Sequence, residues 1–144
     1  MKFLTKGLIA GLVLVAGVAV AKEGVQDPTV KARQELMGTI GMNTKALGDM
    51  AGGKADFDAA KAQAAKEAIM AASAEIGAKF EPQASDPVSE AKPEIWTNWD
   101  DFVAKAGALN AAATALDASS LDSVKAGMGA IGGACKDCHS TYRL

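Results

Sequence analysis

The 144-residue chain has few aromatic side chains (5%), one histidine, two cysteines and four prolines. It also lacks a basic excess, with 15 Lys and Arg against 17 Asp and Glu. Two cysteines and one histidine are too few for a disulfide scaffold or a multi-finger zinc protein. Without a basic excess or a basic stripe, nucleic acid is not an expected partner. β-Branched residues are sparse and no segment alternates with a period of two, so no sheet is expected. With 49% hydrophobic residues and no low-complexity tract, the chain is not disordered, and its length predicts one domain with one core.

Residues 1–21 read as an address. Lys2 and Lys6 precede an apolar run from Gly7 to Val18, and Ala19-Val20-Ala21 offers the small-x-small pattern of a signal-peptidase site. The run, roughly fifteen residues, is short of the ~20 that a spanning helix needs. Cleavage after Ala21 is therefore expected, leaving residues 22–144 with no membrane span. The loss of two lysines takes the formal charge from −2 to −4. Export places the cysteines in an oxidising compartment, the periplasm of a bacterial cell.

Four helices are expected in what remains. Asp27-Pro28 is a helix start, and Val30, Met37, Ile40, Thr44 and Leu47 form a stripe ending at Gly52-Gly53. Asp56 or Asp58 caps a second helix that runs to about Phe80, with Ile69, Ser73 and Ile76 on its face. Glu81 to Pro93 holds three of the four prolines and is read as a loop. A third helix from near Pro93 carries Ile95, Trp99, Phe102, Ala106, Leu109, Ala113 and Leu116. A fourth, capped by Ser119 or Ser120, places Leu121, Val124, Met128, Ile131, Cys135, Cys138 and Tyr142 on one face. Short links predict an all-α, antiparallel up-down-up-down four-helix bundle. Gly127, Gly129, Gly132 and Gly133 weaken the fourth helix by about 1 kcal/mol each; a bulky group packed against them is the expected reason, with close helix–helix approach through small residues as the alternative.

The chemistry lies in Cys135-Lys136-Asp137-Cys138-His139, the Cys-x-x-Cys-His pattern of c-type haem attachment. On a helix, positions i and i+3 share a face, so two thiols can reach two vinyl groups of one porphyrin. His139 follows directly, and imidazole is a good ligand for haem iron. It is the chain's only histidine, so bis-histidine ligation within one chain is excluded. Three other readings weigh less. A thioredoxin-like dithiol would follow a strand, zinc would need a fourth ligand, and a disulfide between near neighbours would stabilise little. No nucleophile–base pair points to an enzyme. Asp100-Asp101, like Lys61, Lys66 and Glu67, reads as solvated helix surface. Trp99 is expected in the core, packed on the porphyrin or not, and Trp96 more peripherally at a haem edge or an interface. Lys136 and Arg143 read as a positive rim or as plain surface.

With its haem motif near the C-terminus of four helices, the chain resembles cytochrome c′ and its low-spin relatives, the class II c-type cytochromes. The resemblance spans residues 22–144, including Arg33-Gln34 with Met37 one turn later, Ile95 to Phe102, and Cys135 to Arg143. It implies one covalently attached haem c, a periplasmic location, redox partner proteins and a homodimer formed through the first two helices. It further implies that Arg33 and Gln34 lie near the haem propionates and that Arg143 lies close to the axial imidazole.

The sixth iron ligand divides the functional readings. Met128 lies eleven residues before His139 on the same helix, roughly 16 Å along the axis, and cannot reach the other face. Met42 and Met50 lie further down the first helix. Helical geometry keeps Met37 and does not exclude Met70; the resemblance selects Met37. With Met37 bound, the protein is a six-coordinate, low-spin one-electron carrier. With Met37 merely packing, it is a five-coordinate cytochrome that binds nitric oxide or another small gas.

Overall fold

The computed structural model describes residues 22–144; the signal peptide read in residues 1–21 lies outside them. Four long helices carry the fold: α1 (Pro28–Ala51), α2 (Ala59–Ala74), α5 (Trp99–Ala115) and α6 (Leu121–Tyr142), with the short α3 (Ile76–Phe80) and α4 (Glu94–Thr97) between α2 and α5. α1 packs on α2 and α6, and α5 packs on the same two, which closes the antiparallel four-helix bundle. Among the described residues there is no strand, only an isolated bridge from Ala91 to Arg143. Among the described residues no helix is long and apolar enough to cross a membrane.

Each helix starts where the chain offers a cap. The Asp27 carboxylate accepts from Thr29 N (2.8 Å) and Val30 N (2.9 Å), and Pro28 fills the first position, where no N–H is needed. Gly53, at φ 71°, turns the chain out of α1 in a conformation that suits glycine. Of the two candidate acids before α2, Asp58 is the cap, accepting from Lys61 N at 3.0 Å. Ser120 does the same for α6, accepting from Ser123 N at 3.2 Å.

The second and third helices are each broken once. Glu75 N bonds back three residues to Ala72 O, tightening the turn, and α3 begins afresh so that Ile76 and Phe80 both bury. Asn98, at φ −121° and ψ 45°, separates α4 from α5. Both tryptophans are half-buried against the core: Trp96 donates Nε1–H to Phe80 O (2.7 Å), and Trp99 lies beside the Phe102 ring at 5.6 Å, so the expected contrast between a core Trp99 and a peripheral Trp96 is corrected.

The core joins the buried stripes of all four long helices; Leu47, Ile69, Leu116, Val124 and Ile131 are essentially inaccessible. Burying each such side chain contributes about 1.5–3 kcal/mol. The expectation of a bulky group against the α6 glycines is corrected. Gly129, Gly132 and Gly133 face outward with nothing within 4 Å of an added Cβ. Only Gly127 serves close approach, since a Cβ there would collide with Leu116 Cδ1. Lys66 is not simple surface either: it is half-buried and donates to Leu116 O at 2.7 Å, closing the end of α5.

Candidate functional site

The last three turns of α6 form one wall of a cavity of about 590 Å³, within the ~300–1,000 Å³ range of ligand pockets. Ile131 and Tyr142 are buried against the core and set the rotation of α6, leaving Cys135 and Cys138 half-buried on the cavity wall. The two thiols are not joined to each other, and burial pushes both up from the ordinary thiol range. His139 stands at the exposed rim. Partial desolvation lowers its basicity, the neighbouring Arg143 lowers it further, and Glu90 opposes both.

Across from this wall, α1 contributes Val30, Arg33, Met37, Ile40 and Thr44, while Phe102, Ala106 and Leu109 of α5 form the floor. Among the described methionines only Met37 lines the cavity. Met128 packs towards α1 at Gly48, Met70 packs on the core, Met50 is buried and Met42 is exposed.

The remaining wall is the 81–93 loop, tied down at three places. Asp86 accepts from Gln26 N (2.8 Å), Asp27 N (2.9 Å) and Val88 N (3.0 Å), bonds that hold its carboxyl below the usual range. Glu90 accepts from Arg143 Nε (2.6 Å) and Lys22 Nζ (2.8 Å), and its backbone carbonyl accepts from Leu144 N (2.9 Å). Lys92 N donates to Tyr142 O at 3.0 Å. The proline-rich stretch is therefore a built wall of the site, and its partners lie at both ends of the described chain.

Arg33 is 3% exposed and lines the cavity, yet its guanidinium donates to Lys79 O (3.0 Å), Ala84 O (3.4 Å) and Pro82 O. It also lies 5.0 Å from the Phe80 ring and 5.3 Å from the Trp96 ring. Gln34 accepts from Lys22 N (2.8 Å), and its amide lies 3.4 Å from Val88 O. Both residues thus line the cavity, Arg33 from a buried position, and spend hydrogen bonds on the neighbouring backbone.

Several contributors were not singled out by the sequence. Lys105 lines the cavity and bonds Asp137 Oδ2 at 2.5 Å. Asp101 accepts from Tyr142 Oη at 2.5 Å, which pushes that phenol up to about 12, so Asp101 is more than solvated surface. Thr44 Oγ1 is buried without a partner on the cavity side of α1. An i,i+4 spacing relates Asp101 to Lys105, but no local signal relates Lys105 to Asp137 or Tyr142 to Asp101.

The donor set fits a haem. An apolar slot with two thiols at i and i+3, an imidazole at its rim and a thioether on the facing helix matches a flat ring that is covalently held and axially bound. Among the described residues no three His, Cys, Asp or Glu side chains converge on one point, which leaves the zinc reading without its ligands.

An all-helical bundle with this cavity defines the class II c-type cytochromes. The family model described as Cytochrome C′ matches residues 28–143. The chain is 35% identical to cytochrome c-556 of Agrobacterium fabrum, over 100% of this chain and 96% of that one. It is 36% identical to cytochrome c′ of Rhodopseudomonas palustris over 94% and 92%. The solved cytochrome c′ from Rhodopseudomonas palustris superposes with a TM-score of 0.75 at 32% identity, covering 83% of this chain and 98% of that one. A nitric oxide complex of a cytochrome c prime mutant from Alcaligenes xylosoxidans gives 0.71 at 32% identity, over 80% and 93%. The chain belongs to the cytochrome c′ family, whose members bind one covalently attached haem c; Cys135 and Cys138 fit the attachment motif.

Proposed function

We propose that residues 22–144 form a periplasmic monohaem cytochrome that carries one electron at a time between redox proteins, after a signal peptide at residues 1–21 is removed. In this reading Cys135 and Cys138 would hold the ring by thioether bonds, and His139 and Met37 would hold its iron. Bound haem c supplies a metal centre that accepts and releases a single electron. The chain's part is to position and shield it. Phe102, Leu109 and Ile40 line the cavity with apolar surface that would exclude water, and α1 would supply Met37 from the wall across from α6. Arg33 and Gln34 line the cavity on the α1 side, where propionates would meet them. The observation that carries the reading is the place of Met37, the one described methionine on the cavity wall.

A thioether ligand favours ferrous iron and leaves no open coordination position. The oxidised holoprotein should therefore show an iron–sulfur charge-transfer band, and the reduced form should not bind carbon monoxide. Met37→Leu should abolish the band and admit carbon monoxide. The second reading, a five-coordinate gas-binding cytochrome, draws on the relative solved with nitric oxide and on the half-buried, unbranched Met37 side chain. Rapid carbon monoxide binding by the unmodified protein would establish that second reading and remove Met37 from the ligand set. Relatives of this kind are often dimers, and the exposed outer surface of α1 and α2 is where a second copy would sit.

A further inference from the structure

One charged pair ties the haem-motif segment to a helix that carries none of the motif. Lys105, on α5, has a side chain only 20% exposed and lines the cavity. Its ammonium bonds Asp137, one of the two residues between Cys135 and Cys138, at 2.5 Å, and lies 4.0 Å from Asp101. Asp101 in turn accepts from the Tyr142 hydroxyl, one turn beyond the motif, at 2.5 Å. Tyr142, Asp101, Lys105 and Asp137 thus tie the Cys135–His139 turn to the first half of α5, from within the turn and from just beyond it. The lysine brings its charge to the cavity wall from a partly desolvated position, where screening is weaker than at an open surface.

We propose that Lys105 is a positioning residue of the haem site, holding the attachment turn through Asp137 and placing a positive charge beside the ring. The proposal rests on the haem reading of Cys135, Cys138 and His139. Ferrous iron carries one positive charge fewer than ferric, so a nearby cation favours the reduced state and a nearby anion the oxidised state. Removing either partner would loosen the turn, but the two removals change the local charge in opposite directions.

The test uses haem-loaded protein at pH 7 and low salt, with wild type, Lys105→Met, Asp137→Asn and Lys105→Arg compared by potentiometric titration and thermal melting. At the wild-type midpoint, Lys105→Met should raise the oxidised-to-reduced ratio at least threefold. Asp137→Asn should lower it by a similar factor, and Lys105→Arg should stay within twofold of wild type. Shifts of the same sign in the first two, or none beyond twofold, overturn the proposal; a fall in melting temperature with the midpoint unmoved reduces the pair to a structural tie and overturns it as well. If Lys105→Met does not mature, the opposite shift in Asp137→Asn and the silence of Lys105→Arg decide the matter. Wild-type protein whose mass lacks the haem increment overturns the haem reading together with this one, whereas haem-loaded protein with unmoved midpoints overturns this one alone.

Discussion

At the scale of single residues, the site depends on side chains that hold backbone rather than ligand. Arg33 spends its donors on the carbonyl of Lys79 in α3 and on those of Pro82 and Ala84 beyond it, and Asp86 gathers three backbone N–H groups from just before α1 and from its own loop. Asp86 makes a pH prediction with a definite sign. Its folded pKa is depressed, so its contribution is present above the unfolded carboxylate value of about 4 and is lost as pH falls through the folded value. Asp86→Asn should lower the melting temperature at pH 7 and flatten its fall between roughly pH 5 and pH 3. Circular dichroism melts across that range read both effects. The Asp27 cap is a simpler case: Asp27→Ala removes the acceptor for Thr29 N and Val30 N and should cost about 1 kcal/mol in urea unfolding.

At the scale of elements, α6 separates two uses of glycine that look alike in sequence. Gly129 is exposed with open space at its Cβ position, so Gly129→Ala should stabilise by up to about 1 kcal/mol through helix propensity alone. Gly127 touches Leu116, which is 2% exposed and has little room to withdraw. There the same propensity gain meets an overpacking cost of about 1–3 kcal/mol, and Gly127→Ala should be neutral to destabilising. Paired denaturation curves of the two variants test the contrast; equal stabilisation by both would contradict the packing described at Leu116. The helix breaks at Glu75 and Asn98 belong to this scale too. Apolar spacing marked which residues would bury and ran through both breaks, because the stripe continues in phase while the backbone hydrogen bonding does not.

At the scale of the whole molecule, both ends of the described chain converge on the 81–93 loop. Lys22 and Arg143 meet at Glu90, Tyr142 and Leu144 bond the loop backbone, and the Tyr142 ring packs edge-on against Phe102 at 5.4 Å. The Tyr142 phenol, pushed up to about 12 by its bond to Asp101, is favoured in its protonated form when folded. Its contribution is complete below the unfolded value of about 10 and is lost as pH rises through the folded value. Wild type should therefore lose stability between about pH 10 and pH 12 more steeply than Tyr142→Phe, as measured by isothermal urea unfolding at stepped pH.

What could be read from sequence was whatever the chain encodes locally. Caps at Asp27, Asp58 and Ser120 satisfy orphan amides within three residues, the apolar stripes repeat every turn, and Cys135, Cys138 and His139 need only helical spacing to present their chemistry together. Tertiary structure separated Met37 from Met70, which helical spacing had left open, and it alone decided that the proline-rich loop forms a wall of the cavity and that Lys105 meets Asp137 across 32 positions. Those outcomes rest on contacts between helices that no local periodicity records. They arise only once burying four stripes together sets the rotation of each helix about its own axis.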